Sequence, residues 1–94
     1  MKRKTAKKQV SSLSLNLHRE YFDKIANGKK KRENRDNTAY WRRRLLNRTY
    51  DEVHFRNGYA TKAPFMRVQC LGIRKRGNGF VIRLGKVLET ANYN

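Results

Sequence analysis

Lys30, Glu33 and Arg35 hold the chain's most promising chemistry: an amine, a carboxylate and a guanidinium within six residues, following Gly28. In an extended segment Glu33 and Arg35 share one face and Lys30 points to the other, unless a bulge brings it round. A carboxylate beside a guanidinium fixes that fork for bidentate contact with a phosphate or a base edge. Alternatively, a lysine among like charges is driven toward its free amine. Lys30 then serves as a base toward water or a ribose hydroxyl, with Glu33 as its acid partner. The plainer reading of such a trio is a solvated ion pair worth at most ~1 kcal/mol.

Little else is equipped for catalysis. There is no Ser-His-Asp or Cys-His spacing, and the seven acidic residues lack the clustering of a metal site, so no metal or cofactor is expected. His18 and His54 read as strand-edge residues, and Cys70 as a buried, inert thiol within a strand. One cysteine excludes an internal disulfide framework.

Binding is better supplied. The chain has 94 residues, 24 Lys+Arg against 7 Asp+Glu and a net charge of +17. Such a charge opposes compaction unless a polyanion offsets it. Residues 1–8 hold five basic residues and no acid, and residues 1–12 are expected to form a disordered basic arm. Without those five charges the remaining 86 residues still carry +12. Three clusters stand out: Lys29 to Arg32 with Arg35, Arg42-Arg43-Arg44 with Arg48, and Arg74-Lys75-Arg76 with Arg83 and Lys86. Tyr40 and Tyr59 are candidates to stack on unpaired bases. The nucleic-acid contacts expected are Lys29, Lys30, Arg35, Tyr40, Arg42, Arg43, Arg44, Tyr59, Arg74 and Lys75, with Lys30 and Glu33 catalytic only if the protein is an enzyme. RNA is the expected partner and DNA the alternative. No signal peptide or membrane anchor is read, so the expected setting is the cytoplasm.

The elements that must position these groups fit one small α+β domain over residues 13–94. Leu13, Leu15 and Leu17 alternate with polar residues at strand period. Tyr21, Phe22, Ile25 and Ala26 form a helical stripe that ends at Asn27-Gly28. Residues 30–35 carry no apolar period and read equally as strand or loop. A second helix is expected from an N-cap among Asp36, Asn37 and Thr38 to about Asn47, with Trp41 and Leu45 on its packed side. Trp41 reads as core before ligand contact. Strands follow around Val53 and Phe55, from Phe65 to Ile73 with Met66, Val68 and Cys70 on one face, and along Phe80, Ile82 and Leu84. Gly77-Asn78-Gly79 is a hairpin turn and Gly85 a bulge. Five to six short strands and two short helices suggest a small, partly closed mixed β-barrel.

Leu15 to Arg35 reads L-x-L-x-x-x-Y-F-D-x-I-x-x-G-x-K-x-x-E-x-R. Trp41, then Asp51-x-Val53-x-Phe55-x-Asn57-Gly58-Tyr59 and Ile82-x-Leu84-Gly85 follow in order. Over residues 13–90 this resembles the ASCH domain, a relative of the PUA fold. The resemblance implies a pseudo-barrel of mixed strands closed by helices, with a cationic cleft beside the G-x-K-x-x-E-x-R element, and an association with RNA. Similar single-domain proteins cleave single-stranded RNA or hydrolyse acetylated cytidine through a Lys–Thr–Glu set. Lys30 matches that lysine, while Glu33 stands where that group has threonine.

Overall fold

The computed structural model describes residues 10–93. Seven elements follow in order: β1 (Ser12–Asn16), α1 (Arg19–Ala26), β2 (Arg32–Asp36), α2 (Ala39–Leu45), β3 (Glu52–Arg56), β4 (Phe65–Arg76) and β5 (Gly79–Ala91). The strands form one mixed sheet in the order β1-β3-β4-β5-β2. Only β1 and β3 run parallel, Leu13 opposite Val53 and Leu15 opposite Phe55, which the β1–α1–β2–α2–β3 path allows. The sheet curls as a half-barrel whose edges, β1 and β2, do not pair with each other. No described helix is long and apolar enough to cross a membrane.

The core fills the inner face. Leu13 and Leu15 of β1, Val53 and Phe55 of β3, Met66 and Val68 of β4, and Phe80, Ile82 and Leu84 of β5 are buried against Phe22, Ile25 and Leu45 of the two helices. Each strand buries alternate residues, so its polar face stays outside. The basic arm expected over residues 1–12 is cut short. Ser11 bonds Asp51 through both its N–H and its hydroxyl, and Ser12 already pairs with Glu52. Residues 1–9 lie outside the described residues.

Several local expectations change. Residues 32–36 form an edge strand antiparallel to β5, although their sequence has no strand period. Helix α2 stops at Leu45, where the Tyr50 hydroxyl donates to the Arg44 carbonyl at 2.6 Å, and Asn47 turns at φ 57°. Tyr21 leaves the buried stripe of α1 for its exposed margin. Cys70 is half-buried, and its thiol is pushed up by burial. It stays on the inner side, opposite Leu84 and packed against the core, beside the expected Gly85 bulge. Between Val68 and Cys70 β4 advances two residues while β5 advances three, and a compensating extra residue on β4 follows at Leu71. His18 is the N-cap residue of α1, while His54 lies in a strand paired on both sides, its ring nitrogen 2.9 Å from Glu52.

Candidate functional site

The edge strand β2 puts two charged residues where its neighbours put apolar ones. Glu33 lies opposite Ile82 and Arg35 opposite Phe80, both on the inner face. A carboxylate that is only 6% exposed must be paired to remain charged. Lys30 Nζ donates to Glu33 Oε1 at 2.5 Å, and an Arg35 terminal nitrogen forms an ion pair with Oε2 at 2.8 Å. Lys30 gets there without a bulge. It precedes β2, and its backbone N–H is tied to the Lys24 carbonyl at the end of α1. Gly28, at φ 83°, makes the reversal just before it. The three residues singled out in the sequence therefore meet on one side, with the Lys30 ammonium against the Glu33 carboxylate.

Aromatic rings back both cations. The Arg35 guanidinium lies 5.0 Å from the Trp41 ring, and Lys30 Nζ lies 5.3 Å from that of Tyr21. Arg35 Nε is buried and has no hydrogen-bond partner among the described residues. Trp41 thus serves twice, packing against the core and holding Arg35.

Beside this trio is a cleft in two connected parts. One, of about 530 Å³, lies between the start of α1, β2 and the loop after β3, and includes His18, Tyr21, Glu33, Arg35 and Tyr59. The other, of about 370 Å³, is bounded by Tyr40, Trp41 and Arg56. Asn16, Arg35 and Tyr59 line both parts. The Asn57-Gly58 turn is bolted to β1. Gly58 N–H donates to Asn16 Oδ1 at 3.0 Å and Asn57 Nδ2 to the Leu17 carbonyl at 2.9 Å. This holds Tyr59 at the rim with 90% of its surface exposed.

The other expected contacts are distributed differently. Tyr40 lines the second part of the cleft, with the Arg44 guanidinium 5.4 Å from its ring. Arg42 and Arg43 are exposed on α2 and line neither part. Lys29 borders an adjoining groove beyond the edge of β2, Arg74 is on the outer face of β4, and Lys75 lines a further pocket with Leu45 and Leu46. Asn16, Arg56 and Tyr21 belong to the cleft and were not expected there. Asn57-Gly58 is the sequence signal nearest to them, and it marks a turn without saying which strand the turn grips.

No family model, no curated protein and no solved structure matches the chain.

A second charged cluster sits on the outer face of β3, β4 and β5, away from the cleft. Glu52 accepts from His54 and from Arg67 at 2.7 Å, and Arg67 also donates to Glu89 at 2.7 Å. His54, then Arg67, hold the Glu52 carboxyl below the ordinary range, and Glu89 and Glu52 hold Arg67 above its own. At the chain's end, Tyr93 donates to Asp23 of α1 at 2.7 Å, which lowers the Asp23 carboxyl and raises the Tyr93 phenol. Both clusters are saturated within the fold. The acid-rich end is neutralised and the β2 end stays cationic.

Proposed function

We propose that the protein binds single-stranded nucleic acid, with RNA as its natural partner, in the cleft formed by β2, the start of α1, α2 and the Tyr59 loop. The observation that carries this reading is Arg35, anchored by Glu33 and stacked on Trp41, facing the same cleft as the free ring of Tyr59. A fixed guanidinium suits a phosphate or a base edge, and an open aromatic face suits an unpaired base. The choice of RNA over DNA rests on the resemblance to ASCH domains, as does the assignment to a PUA-like barrel.

The test uses fluorescent oligouridylate and oligodeoxyuridylate with the wild type, Arg35→Ala and Tyr59→Ala. Tyr59→Ala is expected to weaken binding by about 1–3 kcal/mol, the worth of one stacked base. Arg35→Ala should reduce the slope of log affinity against log salt by about 0.7, one single-strand phosphate contact. Unchanged affinity in both variants, with intact melting curves, would sink the reading. The same proteins should be incubated with labelled RNA and with N4-acetylcytidine. Turnover that disappears in Lys30→Ala would replace binding with catalysis by Lys30 and Glu33, which lie side by side.

A further inference from the structure

β2 has a second face. The Leu84 N–H donates to the Lys31 carbonyl and the Asn37 N–H to that of Asn78, both at 3.0 Å. Odd-numbered residues of β2 thus bond to β5, leaving Arg32, Asn34 and Asp36 at non-hydrogen-bonded positions, where opposed side chains come closest. The register puts Arg32 directly opposite Arg83. Both are exposed, and neither has an ion-pair partner among the described residues. Arg74 and Arg76 extend the same face on β4, opposite Val81 and Gly79 of β5.

Like charges directly opposite in a sheet are destabilising, and polar or oppositely charged pairs are the favourable alternative. An anion between the two arginines would relieve that repulsion. The adjoining groove, about 670 Å³, is lined by Lys29, Lys30, Lys31, Arg32 and Arg76, with Asp36 the one carboxylate among the described residues on its wall. Groove and cleft meet across the edge of β2. Arg35 lines both, and Lys30 lines the groove while its ammonium holds Glu33 of the cleft.

We infer that this outer face, with Arg32 and Arg83 at its centre, is a second phosphodiester-binding surface that takes the continuation of a strand seated in the cleft. The inference rests on the cleft reading for the strand's starting point. Four arginines on one exposed face make backbone contacts, which are insensitive to base sequence and strongly dependent on salt. Affinity therefore rises with length once the strand outgrows the cleft.

The experiment compares oligouridylates of about five and about fifteen nucleotides, within the range of site sizes on small barrels. The proteins are the wild type, Arg32→Ala/Arg83→Ala and Arg35→Ala, with melting temperatures measured without RNA. The wild type should bind the longer strand more tightly than its extra registers alone explain. The double variant should lose that excess and about 1.4 of the salt slope, two single-strand phosphates, while binding the short strand as before and melting no lower. Arg83→Thr alone should take away part of the excess and raise the melting temperature.

A length excess that survives in the double variant, or is missing from the wild type, would overturn the inference. If Arg35→Ala leaves short-strand binding untouched while the double variant weakens the long strand, the cleft reading falls and the outer face stands by itself.

Discussion

Glu33 occupies a position where β-sheet chemistry would ordinarily select a branched aliphatic residue, and two cations hold it there. It has three roles: neutralising a buried position, orienting Arg35 and tethering Lys30 to the edge of the sheet. Glu33→Gln keeps the shape and one acceptor oxygen but removes the charge both cations need. Breaking a fully buried pair costs 3–5 kcal/mol, but Lys30 and Arg35 remain partly accessible to water, so about 2 kcal/mol is expected. Urea titration should show this as a lower midpoint at unchanged slope. Binding should fall with it. Without the carboxylate Arg35 loses the anchor that fixes its guanidinium in the cleft, and oligouridylate affinity weakens. A residue that only filled space would lower stability and leave affinity alone, and a catalytic acid would take all turnover with it.

Among the elements, β2 decides the site and was the hardest to read. The alternation in Leu13 and Leu15, in Val53 and Phe55, and in Phe80, Ile82 and Leu84 announces β1, β3 and β5, because each buries apolar side chains on one face. The glycine turn at Gly77-Asn78 announces the β4–β5 hairpin, with Gly77 at φ 58°. In β2 the inward residues are Glu33 and Arg35, which cancel each other's charge in space but erase the apolar period in sequence. The register slips around Cys70 were hidden for a related reason, since they depend on the partner strand. The early end of α2 depends on Tyr50, which lies beyond the helix. Lys30, Glu33 and Arg35 were legible as a group. Their union with Asn16, Trp41 and Tyr59 depends on a sheet order that periodicity does not encode.

β2 also has a precise structural dependence on Gly79. A side-chain carbon there would stand 2.6 Å from the Arg35 carbonyl, a backbone atom that cannot rotate away. Gly79→Ala is expected to push the edge strand outward at a cost of about 2 kcal/mol, the usual scale of overpacking. Oligouridylate affinity should fall with it, because Arg35 moves off Trp41. Gly77→Asn, two residues earlier and in the left-handed conformation that asparagine tolerates, is the matched control and should change both measurements much less. Equal effects from the two substitutions would refute the close-approach explanation.

At the scale of the whole molecule, a net charge of +17 is distributed unevenly. Glu52 and Glu89 neutralise Arg67 at one end of the sheet, and Asp23 pairs with Arg19 on α1. Arg32, Arg83, Arg74 and Arg76 face outward with no such pairing among the described residues, so the β2 end carries the repulsion that folding must overcome. Salt should therefore act on stability and on binding with opposite signs. The Debye length shrinks from about 10 Å at 0.1 M to about 3 Å at 1 M, which screens repulsion between exposed arginines more than the partly buried pairs of Glu33. Without nucleic acid, raising sodium chloride over that range should raise the melting temperature. Each 1 kcal/mol of relieved repulsion corresponds to about 4–8 °C in a domain of this size. Affinity for oligouridylate should fall over the same range as counterions compete for the same arginines. The gain in melting temperature should be smaller in Arg32→Ala/Arg83→Ala, which lacks the like-charged pair set opposite each other across β2 and β5. A melting temperature that falls as salt rises would mean that the ion pairs around Glu33 and Glu52 outweigh the repulsion among the unpaired arginines, and that the fold needs no polyanion to relieve it.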